Sequence, residues 1–141
     1  MKKLSLIIPC FNESKNLPAL LSKCKEIFAS EKNVEIILVD NGSTDDTSQV
    51  LDRISTHMSF IRRVKVDINQ GYGHGVLAGL AEANGEIIGW THADLQTEPS
   101  DVLIGFNFFQ KSPKPELLFL KGKRHNRPIL DTFFTIGLRI F

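Results

Sequence analysis

A polar cluster directly after an apolar stretch is the part of the sequence best suited to chemistry. Residues 86–99 read EIIGWTHADLQTEP, in which Ile87–Trp90 has the composition of a buried strand and a carboxylate follows at Asp94. Asp94 and Gln96 are one residue apart, so in an extended segment their side chains point to the same side and can meet one ion. A carboxylate and an amide oxygen suit Mg²⁺ or Mn²⁺, which keep positions open for substrate phosphates. The pattern predicts a metal-assisted diphosphate site.

Two further features extend this hypothesis. His92 lies two residues before Asp94, and a neutral imidazole can ligate Mn²⁺, bind a phosphate or bind a backbone carbonyl, so its role stays open. Basic residues are dense between positions 111 and 127, where Glu116 is the only acid; they are Lys111, Lys114, Lys121, Lys123, Arg124 and Arg127. The residues after the last predicted strand could neutralise a diphosphate leaving group, and a solvated face is the alternative.

The apolar patterning predicts the elements that must position these groups. Strands are expected at 4–9, 34–39, 61–66, 87–90 and 116–120. Helices are expected at 17–28, with Asn12 or Ser14 as the cap, at about 45–57, from the glycines at 71–75 onward, and at 100–111. This alternation, with a period of about 25 to 30 residues, indicates an α/β domain with a mainly parallel sheet flanked by helices.

Polar residues follow several of the predicted strands, and in a parallel sheet they lie on one edge, where ligands bind. They are Asn12 and Glu13, Asp40 and Asn41, and Asp94 and Gln96. Asp40 is placed to accept hydrogen bonds from a base or a ribose, while an Asx turn or a helix cap in DNGSTDD is the structural alternative. Glu13 has a similar alternative in the first turn of the following helix.

The glycine-rich loop NQGYGHG at 69–75 suggests dinucleotide binding, but its spacing does not fit. The G-x-G-x-x-G fingerprint fails because position 76 is Val, which disfavours a NAD-dependent oxidoreductase. Close approach of a ligand to Gly71 and a tight turn without a ligand both stay open. The helix that follows carries Val76, Leu77, Leu80 and Ala81, and Gly85 is expected just after its end.

Composition limits the remaining possibilities. The 141 residues suffice for one domain, and a net charge of +1 gives no general attraction to nucleic acid. Cys10 and Cys24 follow no signal-peptide pattern, so we expect two free thiols in a reducing cytosol. Residues 129–141 are rich in Phe, Leu and Ile and lack a helix stop signal, which suggests the front part of a longer protein.

Five motifs in order resemble the family-2 glycosyltransferases with the GT-A fold. They are SLIIPCFNES, ILVDNGSTDDT, NQGYGHGVLAGLAEANGEII, HADLQTEP and KGKR, and they span nearly all of the chain to Arg124. Within that family the sequence looks most like the polyprenyl-phosphate sugar synthases, such as dolichol-phosphate mannose synthase and its undecaprenyl-phosphate relatives. The resemblance implies a Rossmann-like nucleotide-sugar-binding domain at 1–128, followed at 129–141 by the start of an interfacial helix or acceptor region.

The resemblance also implies an activity and a site. It implies inverting transfer of a hexose from a UDP- or GDP-sugar, with Mg²⁺ or Mn²⁺, to a polyprenyl-phosphate or glycan acceptor at the cytoplasmic face of the membrane. Asp94 and Gln96 would hold the metal, and Arg124 would meet the phosphates. The residues expected at the nucleotide are Pro9, Phe11, Glu13, Asp40, Gly71 and His92.

Two departures from the family pattern bear on this hypothesis. The acidic motif usually reads Asp-x-Asp but begins here with His92, and the usual Asp-Asp pair is Asp40-Asn41. A metal site with one carboxylate fewer is less negative, which would weaken metal binding or shift it toward Mn²⁺. A degenerate, non-catalytic nucleotide-binding module is therefore one alternative. A nucleotidyltransferase is another, although PCFNES stands where its glycine-rich, lysine-containing loop would follow the first strand.

Overall fold

The computed structural model describes residues 3–55 and 58–122. Its strands are β1 (Leu4–Cys10), β2 (Val34–Asn41), β3 (Ile61–Val66) and β4 (Ile87–Trp90). Its helices are α1 (Leu17–Phe28), α2 (Thr47–Ser55), α3 (Tyr72–Ala81) and α4 (Ser100–Lys111). The four strands form one parallel sheet in the order β3-β2-β1-β4, which confirms the predicted α/β class.

Helices cover both faces of the two central strands, and every residue of β1 and β2 is buried. The alternating pleat divides these residues between two apolar clusters. The larger cluster includes Leu6 and Ile8 of β1 and the apolar face of α1, whose buried residues are Leu17, Leu20, Leu21, Cys24 and Phe28. The smaller cluster is formed by Ile7, Ile37 and Val39. Burial on both sides explains why these strands read as continuous apolar runs.

Helix α3 lies against the second face of the sheet through glycines. Gly75 and Gly79 are its buried residues, whereas Leu77 and Leu80 are exposed. A Cβ atom at position 79 would lie 2.4 Å from Ile7 Cγ2. The glycines therefore allow the helix backbone to approach the sheet closely, and the larger apolar side chains point outward.

A buried polar network surrounds Glu35 at the amino edge of the sheet, the end at which the parallel strands begin. Glu35 Oε1 accepts hydrogen bonds from Ser5 Oγ at 2.5 Å and from the backbone N–H of Asn84 at 2.8 Å. Glu35 Oε2 lies 3.5 Å from Lys3 Nζ and 3.6 Å from Arg62 Nη1. Burial favours the neutral acid, but these hydrogen bonds outweigh it and lower the pKa of Glu35 to about 2.

The structure corrects three details of the sequence prediction. The strand expected at 116–120 is absent from the described residues; a 3₁₀ turn occupies Pro115–Leu117 instead, and Leu117 and Phe119 are exposed. Proline favours such a turn, and an apolar run forms a strand only where a neighbouring strand pairs with it. Gly85 lies beyond the end of α3, where a Cβ would come within 2.5 Å of the backbone N of Ser5. Helix α2 begins at Thr47 rather than at position 45.

Some predictions fall on residues outside the described part of the chain. These are the expected end of α2 at His57, the phosphate-binding role of Arg124 and the interfacial helix at 129–141. Within the described ranges, none of the helices is long and apolar enough to cross a membrane.

Candidate functional site

A cleft opens at the carboxyl edge of the sheet, where the loops after β1, β3 and β4 meet the end of β2 and the start of α3. Its volume is about 230 Å³. The parallel strands bring together residues that are distant in sequence, as the pattern of polar loops predicts. Its walls are formed by Pro9, Cys10, Phe11, Glu13, Asn41, Asn69, Gly71, Tyr72, His92, Ala93 and Asp94.

Side-chain hydrogen bonds hold the loop after β1 against the loop after β2. Asn12, with a φ of 57°, accepts hydrogen bonds at Oδ1 from the backbone N–H groups of Thr44 at 2.8 Å and Asp45 at 3.3 Å. Ser14 Oγ donates to Asp45 Oδ2 at 2.6 Å. The prediction that Asn12 or Ser14 caps α1 is wrong, because the cap residue is Asn16 and both side chains serve the neighbouring loop.

The same pair of loops contains a carboxylate, that of Asp45, which stays ionised. Partial burial would raise the pKa of Asp45, but hydrogen bonds from Ser14 and Thr47 lower it to about 2, so the carboxylate stays ionised. Glu13 accepts a hydrogen bond from Asn16 Nδ2 at 2.7 Å, and its backbone N–H donates to Thr47 Oγ1 at 2.8 Å. Glu13 therefore reaches the cleft from a backbone that α2 holds in place.

Asp40 and Asn41 point to opposite faces of the sheet because successive residues of a strand alternate. Asp40 is 2% exposed, accepts a hydrogen bond from the N–H of Ser43 and lies 3.5 Å from Arg63 Nη2. It lines a neighbouring polar cavity with Ser43 and Asp45, whereas Asn41 lines the cleft. Contact between Asp40 and a nucleoside stays a prediction. Sequence reasoning placed Asn41 on the same edge of the sheet but gave it no separate role.

The acidic loop is bent rather than extended. Asp94 Oδ1 accepts a hydrogen bond from the N–H of Gln96 at 3.0 Å, and Leu95 between them has a φ of 61°. The extended geometry that was expected to place both side chains on one side is therefore wrong. An Asx turn competes with extended backbone at a residue such as Asp94, and here the turn prevails. Asp94 lines the cleft, and Gln96 is exposed beside it.

An aromatic stack forms one wall of the cleft. The ring of His92 lies on the ring of Tyr72, with the centroids 4.5 Å apart and the planes 13° apart. The hydroxyl of Tyr72 donates to the carbonyl of Thr91 at 3.3 Å. The stack joins the glycine-rich loop to the acidic loop. Tyr72 is a wall residue that sequence reasoning missed, although it lies within the glycine-rich motif.

The acidic loop provides oxygen donors of the kind that a divalent cation prefers, but fewer than such a cation needs. No group of three or more His, Cys, Asp or Glu side chains among the described residues is arranged to hold a metal ion. Asp94 and Gln96 provide hard oxygen donors of the kind that Mg²⁺ and Mn²⁺ prefer. A cation here would therefore need further oxygens, which a diphosphate can supply.

Cys10 borders the cleft, but its side chain is fully buried in the larger apolar cluster, so its thiol belongs to the core. Burial, and to a lesser degree the negative charges of Glu13 and Asp40, raise the pKa of Cys10 far above its usual value. Both Cys10 and Cys24 are free, as the sequence predicts, and both are buried. Because a neutral thiol is a poor nucleophile, the arrangement gives Cys10 a packing role rather than one in covalent chemistry.

Comparison with known proteins connects this cleft to a family. Residues 5–115 match the model of Glycosyl transferase family 2. Undecaprenyl-phosphate 4-deoxy-4-formamido-L-arabinose transferase from Proteus mirabilis is 32% identical over 108 residues, which cover 72% of this chain and 32% of that protein. The enzyme of the same name from Serratia proteamaculans is 34% identical over 107 residues, with the same coverage. The chain thus spans about a third of the length of these relatives.

Solved structures share the fold at lower identity. A mannosyltransferase from Pyrobaculum calidifontis in complex with GDP-Man and Mn²⁺ has a TM-score of 0.69 and 24% identity, covering 80% of this chain and 33% of that one. S. aureus TarS 1-349 in complex with UDP has a TM-score of 0.66 and 22% identity, covering 77% of this chain and 32% of that one. At these identities the likeness establishes the fold.

Proposed function

Since this chain belongs to glycosyl transferase family 2 and has a GT-A fold, we propose that its cleft binds the nucleotide of a nucleotide-sugar donor. The observation that carries this proposal is the meeting of Glu13, His92 and Asp94 around one opening at the carboxyl edge of the sheet. The full-length protein then transfers a hexose from a UDP- or GDP-sugar to a polyprenyl phosphate. The named relatives, which act on undecaprenyl phosphate, support this acceptor.

In this proposal, different residues of the cleft contact the nucleoside end and the diphosphate end of the nucleotide. Pro9, Phe11 and Glu13 form the nucleoside end, and the half-exposed ring of Phe11 offers an apolar face to a base. Gly71 and His92 border the path to the diphosphate. Asp40 acts at the nucleoside in this proposal only if the loop after β2 shifts, because it lines the neighbouring cavity.

Asp94 would hold Mg²⁺ or Mn²⁺ at the diphosphate, and Gln96 would join it only if the acidic loop, which is bent in the structure, brought both side chains to one side. A bound cation supplies Lewis-acid stabilisation of the charge on the departing group. Arg124 meets the same phosphates in this proposal. Because a lipid phosphate is already ionised, its attack needs little help from a base, which a sugar hydroxyl would require. Inversion at the sugar follows from a single displacement, and the acceptor is reached at the cytoplasmic face of the membrane.

A degenerate nucleotide-binding module is a second candidate, and one observation favours it. His92 occupies the first position of the acidic motif, and its ring is stacked on Tyr72. An imidazole in this arrangement replaces a carboxylate that would add negative charge beside a metal. Such a module would bind the nucleotide without transferring the sugar.

Calorimetric titration with UDP and GDP tests the proposal. Each nucleotide is added in the presence of Mn²⁺, Mg²⁺ or a chelator. We expect binding that depends on the metal and that favours one of the two nucleotides. Absence of binding for both nucleotides with both metals would overturn the proposal for this chain. Sugar transfer to a polyprenyl phosphate by the full-length protein would then separate the enzyme from the degenerate module.

A further inference from the structure

The acidic loop between β4 and α4 is closed at its base by a pair of hydroxyl groups. The side chains of Thr91 and Thr97 are hydrogen-bonded, with 2.7 Å between the two Oγ1 atoms, and both residues are partly buried. Thr91 follows the last residue of β4, and Thr97 lies three residues before α4. The bond therefore joins the two ends of the segment that contains Asp94.

The Thr91 end of this bond is fixed to the sheet. The backbone N–H of Thr91 donates to the carbonyl of Ile7 at 3.1 Å, which continues the pairing of β4 with β1 by one residue. The carbonyl of Thr91 accepts a hydrogen bond from the hydroxyl of Tyr72 at 3.3 Å. Because Thr91 is anchored in this way, its hydroxyl holds Thr97 at a defined distance from the sheet.

The bend of the loop directs its residues to different sides. Ala93 is 3% exposed and Leu95 is partly buried, and both contact the larger apolar cluster. Asp94 lies between them and lines the cleft. Leu95 has a φ of 61°, a conformation that a residue other than glycine keeps only where surrounding contacts hold it. A loop opened at its base would be free to leave this conformation, and Asp94 would then have no fixed position at the cleft.

A second contact holds the outer side of the loop less firmly. Lys23 Nζ lies 2.6 Å from Glu98 Oε1, and the two side chains are 40% and 56% exposed. Exposed ion pairs contribute little, because water and salt screen them. The hydroxyl pair is partly shielded from water, so we expect it to restrain the loop more strongly than the ion pair does.

We propose that Thr91 and Thr97 are positioning residues for nucleotide binding, because the hydrogen bond between them keeps Asp94 at the cleft. This inference rests on the proposed function, in which Asp94 holds the cation at the diphosphate. Neither threonine is among the residues that line the cleft. Their effect on affinity therefore comes from the distance between the two ends of the loop and needs no contact with the ligand.

Substitutions that keep the shape of the side chain test the hydrogen bond. Thr91→Val and Thr97→Val each remove one hydroxyl, the double variant removes both, and Thr91→Ser and Thr97→Ser keep the hydroxyl. Ser112→Ala removes a hydroxyl at the far end of α4 and is the matched control. Calorimetry measures the affinity for UDP and GDP with Mn²⁺ and with chelator, and urea denaturation measures the free energy of unfolding.

We expect each valine variant to reduce the Mn²⁺-dependent affinity roughly 5- to 10-fold, the effect of one lost hydrogen bond. Either substitution breaks the same bond, so the double variant should lose no more affinity than a single variant, whereas independent contacts would multiply the two losses. The serine variants and Ser112→Ala should bind within about 2-fold of the unchanged protein. Any affinity that remains in chelator should be equal in all of these proteins.

A purely structural role for the two threonines gives a different result. It would lower the free energy of unfolding of the valine variants and leave the affinity of the folded protein unchanged, which would overturn the inference. Multiplied losses in the double variant would also overturn it. So would serine variants that lose as much affinity as the valine variants, because the hydroxyl would then not be the group responsible.

Failure of this inference can be told apart from failure of the proposed function. If the unchanged protein binds neither UDP nor GDP in a metal-dependent way, the proposed function and this inference both fail. If the unchanged protein binds a nucleotide with Mn²⁺ and the valine variants bind it equally well, the proposed function stands and the positioning role of Thr91 and Thr97 fails.

Discussion

The buried polar groups at the two edges of the sheet differ in whether they have hydrogen-bond partners. At the amino edge, Glu35 is 6% exposed, and its two oxygens are met by hydrogen bonds and by cations from four residues, Lys3, Ser5, Arg62 and Asn84. At the carboxyl edge, Asn41 is more deeply buried and its amide oxygen has no partner in the described structure, while Phe11 and Tyr72 are exposed. The closed network stabilises the fold, whereas the carboxyl edge is the proposed ligand site.

The difference between the two edges requires that the amino edge contribute substantially to the stability of the fold. We expect Glu35→Ala to lower the free energy of unfolding by about 2–4 kcal/mol, because the donors Ser5 Oγ and Asn84 N–H lose their buried acceptor, while the partly exposed cations Lys3 and Arg62 add little. Urea denaturation measures this change. Glu82→Ala removes an exposed partner of Arg62 and should cost less than about 1 kcal/mol. Nucleotide affinity should not change in either variant, and a loss in Glu35→Ala at full folding would contradict the division between the edges.

Low pH should lower the free energy of unfolding through protonation of Glu35. Its pKa is about 2 in the folded protein against 4.5 in the reference state, so its stabilising contribution is complete above pH 4.5 and is lost as pH falls toward 2. The shift corresponds to at most about 3 kcal/mol. Free energies of unfolding between pH 6 and pH 2.5 should fall more steeply for the unchanged protein than for Glu35→Gln. Parallel curves would show that Glu35 is not the group responsible.

The carboxyl edge should respond in binding rather than in stability. Asp94→Asn removes the carboxylate proposed to hold the metal and should reduce metal-dependent nucleotide affinity roughly 100-fold, with little change in the free energy of unfolding. Calorimetry with Mn²⁺ measures the affinity. Asp101→Asn, on the exposed first turn of α4, makes the same change of charge and should bind normally. Equal affinities in the two variants would remove Asp94 from the site.

Two glycines of α3, one packed against the sheet and one in open space, allow a matched test with a smaller expected effect. Gly79→Ala places a Cβ against Ile7 and should cost about 1–3 kcal/mol of stability by overpacking. Gly73→Ala meets no atom within 4 Å and should be neutral or stabilising by up to about 1 kcal/mol, since alanine favours a helix. Thermal unfolding measures both variants. Equal effects would contradict the close contact between α3 and the sheet.

The sequence predicts the fold well because its strands and helices differ in period. The helices at 17–28 and 100–111 and the strands at 61–66 and 87–90 were predicted at the residues where they are found. The apolar stripe of α1 and the apolar run of β4 are the clearest of these signals. The strand at 116–120 was wrong because a strand depends on a neighbour, and composition alone does not reveal one. The inward glycines of α3 were missed because their role depends on Ile7 and Val39, which are distant in sequence.

The candidate site is only partly predictable for a related reason. Glu13, His92 and Asp94 were found because they follow strand ends, and parallel strands bring such positions together. Whether Asp40 or Asn41 faces the cleft depends on the pleat of the strand, because a shift of one residue moves each side chain to the other face of the sheet. The stack of His92 on Tyr72 joins two loops whose relative position depends on tertiary packing, and no local pattern indicates it.

Backbone NMR during titration with UDP or GDP and Mg²⁺ tests most directly whether the carboxyl edge is the ligand site. We expect chemical-shift changes at Cys10–Glu13, Asn41, Gly71–Tyr72 and His92–Asp94, the residues around the cleft. Signals from the network of Ser5, Glu35 and Asn84 should stay in place. Changes centred on that network, or on the cavity between Asp40 and Lys65, would contradict the account.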